Sequence, residues 1–302
     1  MRRDHSYRYR VADVFTECPL EGNALAVFPD AGVIDGGTMQ RIARELNLAE
    51  TAFVLPPTRA DCAAQVRIFT PRKEMLFAGH PTIGTSFVLL DEGLVHPVAG
   101  EFVLEEKIGP VPVQVDAGER PMLWLRTPPI AVGRECDAAL CAEVLGLKVS
   151  DLLEISPQLL DAGNPTLFIA LRDKQAVDRA WLDLAGARQL RGSDPEPFCS
   201  FVFTPTPEGA YSRMFAPEYG GPEDPATGSS TGPLAAFMMR HGLVPSADDT
   251  RFVSEQGSKM GRRSFLHVQI HGDHGAESIE VGGHVTPVAT ASMSFSVDSE
   301  ES

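Results

Sequence analysis

The chain has 302 residues, of which 43% are hydrophobic and 22% charged, with a formal net charge of −15. That length and composition suit a globular protein with room for two domains and exclude a disordered or fibrous chain. The acidic balance argues against a nucleic-acid partner, and without a run of about 18 apolar residues no membrane helix is expected.

The first residues, Met1-Arg-Arg-Asp-His-Ser6, are charged and no apolar signal core follows them, so a cytoplasmic location is expected. Strands are expected at Val11–Phe15 and Ala24–Phe28, where apolar and β-branched residues gather. A helix is expected over Thr38–Leu48, because Met39, Ile42, Ala43 and Leu46 share one face; Thr38 can cap it, with Asp35 just upstream. Strands follow at Thr51–Leu55 and Gln65–Phe69. The stretch Pro81–Leu90 is small or apolar on all sides and reads as a buried helix. Phe102–Leu104, Val111–Val115 and Met122–Leu125 are strands, and the paired prolines of Arg126-Thr-Pro-Pro-Ile-Ala131 mark a division. Beyond it comes a helix over Asp137–Gly146, whose Cys136 and Cys141 read as packing residues. Strands recur at Leu167–Leu171, Ser200–Phe203 and Ser212–Phe215. Thr231–Met239 is a second apolar helix, and strands at Leu266–Ile270, Ser278–Val281 and Val288–Val297 follow. The acidic tail Asp298–Ser302 reads as a solvated end.

The five cysteines form no Cys-x-x-Cys pair, so neither a disulfide framework nor a zinc knuckle is indicated. His267, His271 and His274 cluster near a polar turn, where a solvated hairpin is favoured over a metal site. Gly228-Ser-Ser-Thr-Gly232 fits the letters of a hydrolase nucleophile elbow, but no apolar strand leads into it.

Three short segments recur in order. Gly22-Asn-Ala-Leu-Ala-Val-Phe28 is echoed by Gly163-Asn-Pro-Thr-Leu-Phe-Ile169, and Arg67-Ile-Phe-Thr-Pro71 by Arg213-Met-Phe-Ala-Pro217. Gly79-His-Pro-Thr-Ile-Gly-Thr-Ser86 is echoed by Glu223-Asp-Pro-Ala-Thr-Gly-Ser-Ser230. Three matches in register imply a duplicated α+β unit. The expected domains are 1–127, joined by a C-terminal strand near 286–298, and 128–285. Such a pair is expected to be pseudo-symmetric, with a ligand cleft between its halves.

In the third echo a polar residue and a proline precede an apolar helix: His80-Pro81 in one half, Asp224-Pro225 in the other. Proline suits a first helical position, and free N–H groups there attract anions. Gly84 and Gly228 are expected in the first turn, with hydroxyls from Thr85, Ser229 and Ser230 alongside. Capping alone accounts for Asp224 but not for His80, since His is not a favoured cap.

These segments carry a resemblance. Phe69-Thr-Pro71, Phe77-Ala-Gly-His-Pro81, Asn47-Leu-Ala-Glu-Thr51, Met214-Phe-Ala-Pro217, Glu223-Asp-Pro-Ala-Thr-Gly-Ser229, Gln256-Gly-Ser-Lys-Met-Gly-Arg262 and Val281-Gly-Gly-His-Val285 resemble the signature segments of the PhzF family, from about Tyr9 to Phe295. Ala24 and Arg263 stand where that pattern commonly has proline, which leaves the substrate open. The resemblance implies a diaminopimelate epimerase-like fold: two domains, each a strongly curved sheet around a central helix. It implies an isomerase that moves a proton within a small cyclic carboxylic acid, without metal or organic cofactor, in a homodimer. It implies Glu50, His80 and Asp224 as catalytic residues, and Gly79, Ser229, Gly228, Thr85 and Asn23 as substrate-binding residues. A carboxylate in a dry site suits the chemistry, because burial raises its pKa toward neutrality. Two alternatives remain open at this point: an amino-acid-type epimerase without catalytic cysteines, and a non-catalytic binding protein on the same scaffold.

Overall fold

The computed structural model describes residues 3–219, 221–245, 249–272 and 278–297. His274 and the tail Asp298–Ser302 lie outside the described residues, as do Met1 and Arg2. The chain divides into two compact units, Met1–Leu125 with Gly283–Ser302 (unit 1) and Arg126–Gly282 (unit 2).

Unit 1 runs β1 (Arg3–Val14), β2 (Asn23–Phe28), α1 (Gly36–Leu46), β3 (Glu50–Leu55), β4 (Ala64–Phe69), β5 (Glu74–Met75), α2 (Gly79–Asp91), β6 (Glu101–Glu106), β7 (Gly109–Asp116) and β8 (Met122–Arg126). Strands β1 and β2 are antiparallel, β2 and β3 parallel, β3 and β4 antiparallel. The far edge of β4 is shared by β5, antiparallel, and β6, parallel; β7 and β8 extend from β6 as a meander.

Unit 2 repeats this plan with β9 (Ala131–Glu135), α3 (Ala138–Val144), β10 (Gln158–Asp161), β11 (Thr166–Ala170), α4 (Lys174–Arg179), α5 (Leu184–Arg191), β12 (Cys199–Thr206), β13 (Gly209–Phe215), β14 (Glu223–Asp224), α6 (Gly228–Arg240), β15 (Thr250–Gln256), β16 (Ser264–His271) and β17 (Ser278–Gly283). The ladder β10–β11–β12–β13 has the senses of β1–β2–β3–β4, β13 again shares an edge between β14 and a parallel β15, and β15, β16 and β17 form a meander. One strand enters each unit from a different direction along the chain. In unit 2 it is β9, antiparallel to β10; in unit 1 it is the last strand, β18 (Val285–Val297), antiparallel to β1.

Each unit wraps its strands around a helix with no polar face. Every residue of α2 from Gly79 to Leu89 is buried. Gly84 lies in its second turn rather than the first; a Cβ there would stand 2.6 Å from Leu25 and 2.7 Å from Val14, so only glycine lets β1 and β2 approach so closely. In unit 2, Phe237 of α6 packs between Phe168 and Phe203, each ring centroid 5.8 Å away. Truncating such a ring to alanine costs about 3–5 kcal/mol.

The outer faces of the strands are covered as well. Met39, Ile42 and Ala43 of α1 pack with Phe28, Phe53 and Phe69. The cap of α1 is Asp35, which accepts from Thr38 N at 2.9 Å; Thr38 is already helical, because the side-chain acceptor must stand before the free N–H groups. In unit 2, α3, α4 and α5 take this place, with Cys141 fully buried among them and Cys136 packed alongside. Helices α4 and α5 are not evident in the sequence. They are short, and their main signals are single caps, Asp173 and Asp183.

Each unit carries an equivalent ion pair, half-buried in unit 1 and buried in unit 2. Arg67 donates to Glu74 at 2.7 Å, and Arg213 to Glu223 at 2.8 and 2.9 Å. This pair makes β5 the counterpart of β14, and Gly79, the first residue of α2, the counterpart of Gly228, the first of α6. The expected pairing of His80-Pro81 with Asp224-Pro225 is therefore corrected. His80, second in α2, corresponds to Ser229, second in α6, while Asp224 lies in β14, before the helix. Pro225 is not a first helical residue, and Pro81 is the third. The connection from β13 to β14, 216–222, is longer than that from β4 to β5, 70–73, and this displaces the motif along the chain.

Candidate active site

In unit 1 the site begins with three strand and helix starts. Asn23 opens β2, Glu50 opens β3, and His80 is second in α2. The parallel register sets Glu50 beside Leu25, two residues beyond Asn23. Asn47, in the left-handed region at φ 51°, ends α1 and turns the chain into β3.

The His80 ring bridges the other two residues. Asn23 Nδ2 lies 3.3 Å from His80 Nδ1, and His80 Nε2 lies 3.3 Å from Glu50 Oε2. The second contact has the distance but not the alignment of a full hydrogen bond. Burial pushes the His80 pKa down to about 3, so the imidazole is neutral at physiological pH. A neutral ring that accepts from Asn23 at Nδ1 carries its proton on Nε2, facing the Glu50 carboxylate. The first turn of α2 leaves its N–H groups outside the helical ladder, which favours negative charge nearby. Gly79 opens that turn. Thr85 does not belong to it: it lies in the second turn, fully buried, and its hydroxyl has no hydrogen-bond partner among the described residues.

In unit 2 Asn164 takes the place of Asn23. Its Nδ2 donates to Ser229 Oγ at 3.2 Å and to Ser230 Oγ at 3.3 Å, and Thr166 Oγ1 meets Ser230 Oγ at 2.8 Å. Asn164 was not among the residues expected from sequence. The echo of Gly22-Asn23 in Gly163-Asn164 was the signal for it. Asp224 is held from two sides. Thr227 Oγ1 donates to its Oδ2, and Gln256 Nε2 donates to its carbonyl at 2.7 Å and to Thr227 Oγ1 at 3.1 Å. Gly257, at φ 77°, allows this close packing: a Cβ would meet Arg262 O at 2.2 Å. The position of Glu50 is filled in unit 2 by Cys199, the first residue of β12, paired in parallel with Thr166. Burial, and secondly the charge of Asp224, pushes that thiol pKa far up, so it stays protonated.

The chain matches the family described as phenazine biosynthesis-like protein, PhzC-PhzF, over residues 12–291. The chain belongs to the PhzF family. It is 33% identical to trans-2,3-dihydro-3-hydroxyanthranilate isomerase of Pseudomonas aeruginosa over 287 residues, 92% of this chain and 96% of the relative. It is 36% identical to an uncharacterized isomerase of Mesorhizobium japonicum over 298 residues, 94% of this chain and 98% of the relative. Its fold is similar to the crystal structure of the PhzF-family phenazine biosynthesis protein of Bacillus anthracis, with a TM-score of 0.87 at 23% identity, covering 96% of this chain and 99% of that one. The chain is thus a PhzF-family isomerase of α+β fold, built from two similar units.

Among the described residues no helix is long and apolar enough to cross a membrane, and no group of three or more His, Cys, Asp or Glu is placed to hold a metal ion. His267 and His271 lie on β16, where His271 contacts Glu280 at 3.3 Å.

Proposed function

We propose that this PhzF-family isomerase moves a proton within a small cyclic carboxylic acid, with Glu50 as the acid/base. The observation that carries the reading is the contact of Glu50 with a neutral, buried imidazole whose other nitrogen is engaged by Asn23. A neutral ring leaves the carboxylate its basicity, where an imidazolium would lower it. The substrate C–H bond breaks, its electron pair enters the adjoining π system, and the double bond moves. Glu50 then returns the proton at the far carbon and is a carboxylate again. One carboxylate serves both steps, so the scheme needs no metal or organic cofactor.

The other roles follow from the family motif together with the hydrogen-bonded frames around the residues. Asp224, held at its carboxylate by Thr227 and at its carbonyl by Gln256, is the second catalytic residue and binds a polar substituent of the substrate. Gly79 at the start of α2, and Gly228 and Ser229 at the start of α6, are substrate-binding residues with N–H and hydroxyl groups suited to an anion, while Asn23 and Asn164 hold the side chains at the second helical positions.

The test uses trans-2,3-dihydro-3-hydroxyanthranilate, the compound in the Pseudomonas relative's name. The parent enzyme incubated with it in D2O should isomerise it and incorporate deuterium, and Glu50→Gln should do neither. Undiminished turnover by Glu50→Gln would sink the role of Glu50. Inertness of the parent toward this compound would exclude it as substrate.

A further inference from the structure

Outside the group just described lies a further buried acid, Glu106. Glu106 ends β6 on the inward face it shares with Phe102 and Leu104, and is only 4% exposed. Its Oε1 lies 2.5 Å from Thr82 Oγ1, and its Oε2 is buried without a hydrogen-bond partner among the described residues. Thr82 Oγ1 also lies 2.8 Å from the carbonyl of Ala78, the residue before α2.

Counting protons decides what Glu106 is. Thr82 has one hydroxyl proton and two neighbouring acceptors, the Ala78 carbonyl and Glu106. Were Glu106 ionised, one of these contacts would set acceptor against acceptor, and a charged Oε2 would be buried unsolvated. Both problems vanish if Glu106 carries a proton and donates it to Thr82 Oγ1 while Thr82 donates to Ala78. The other unit supports this. The β4–β6 and β13–β15 registers make Gln256 the counterpart of Glu106, and Gln256 is a neutral amide that donates from beneath the start of α6. A protonated carboxyl is the nearest equivalent that a glutamate can offer.

We propose that Glu106 is carried as the neutral acid and that its hydrogen bond to Thr82 fixes the first turn of α2, making it a positioning residue for His80. Burial raises its pKa to about 8, against the opposing Thr82 bond. Among the described residues no charge nearby offsets this. The titratable groups of α2 are His80, neutral, and Asp91 at its far end; on β4, Arg67 is paired with Glu74 of β5, as is Lys107. On β7, Asp116 accepts from Trp124, and on β6 the outward Glu105 is held by Thr58 while Glu101 is exposed. Above about pH 8 Glu106 loses its proton, the Thr82 contact turns repulsive, and the turn that carries His80 loosens. The positioning claim rests on the acid/base reading of Glu50 and His80; the protonation state does not.

The experiment is NMR on the full chain labelled with 13C at glutamate carboxyls and 15N at histidine, titrated from about pH 5 to 10. One carboxyl should titrate near pH 8 and be missing in Glu106→Gln, and the His80 ring signals should shift with the same midpoint in the parent but stay fixed in Glu106→Gln. Thr82→Val identifies the same carboxyl by its displaced signal, even should Glu106→Gln not fold. A Glu106 midpoint near the ordinary 4.5 overturns the neutral acid; a high midpoint with His80 signals unmoved overturns the positioning role. Neither readout requires turnover, so failure of the proposed activity shows separately, in the Glu50→Gln exchange assay.

Discussion

At the start of β3 unit 1 carries Glu50, and at the start of β12, the equivalent strand, unit 2 carries Cys199. Beside Glu50 stands His80 held by Asn23; beside Cys199 stands Asn164, which holds Ser229. Beneath α2 lies Glu106, and beneath α6 lies Gln256. One backbone frame is thus used twice and filled with different chemistry. Duplication preserved the asparagine, whose bond to the helix start is structural, and let the titratable positions diverge. Unit 1 holds a carboxylate and an imidazole; unit 2 holds a hydroxyl and a thiol that burial keeps protonated. On the proposed reading, proton transfer from carbon therefore belongs to Glu50 of unit 1, which has no titrating counterpart at the equivalent strand start of unit 2.

The sharpest way to break that contrast is Glu50→Gln, for which exchange of substrate protons with D2O should fall by about 10³-fold or more. His80→Ala should be milder, about 10²-fold in kcat, because the carboxylate survives but loses its neighbour. Asp224→Asn removes charge while keeping the hydrogen-bonded frame, and should cost about 10-fold, largely in KM.

The imidazole also predicts a pH effect on stability. Its folded pKa, about 3, lies below its ordinary 6.5, so only the unfolded chain takes up that proton between the two values. The contribution of neutral His80 is fully present above 6.5 and is lost as pH falls toward 3. By pH 4.5 the parent should lose about 2–3 kcal/mol more than His80→Gln, read as a difference in denaturant midpoints. Equal acid sensitivity in the two proteins would mean that the ring is protonated or solvated in the fold. The smallest effect is expected from Cys199→Ala, less than about threefold in turnover, since a protonated thiol takes no part in proton transfer. A loss as large as that of Glu50→Gln would restore a two-sided mechanism.

Much of this was legible in the sequence. Apolar helices without a polar face announce burial wherever they fold, because nothing in them can face water; α2 and α6 were found this way. Alternating apolar runs gave most strands. The short elements β5, β9, β10, β14 and β15 and helices α4 and α5 escaped, since two to eight residues carry too little periodicity to stand out. Asn23, Glu50 and His80 were named through the family resemblance, and the structure brings them into one row of contacts.

The sequence by itself determined the duplication and the two central helices, because these are local patterns repeated along the chain; Glu50, which has no repeated counterpart, was singled out only by the resemblance to the PhzF family. Tertiary structure alone decided which positions correspond between the units. The longer connection before β14 shifts the Asp-Pro motif off the helix start, and only strand pairing and the shared arginine–glutamate bridge reveal the shift. It also decided the protonation of His80 and Glu106. Both are ordinary titratable residues in a sequence, and only burial in a dry, closely packed interior makes the neutral form of each the stable one.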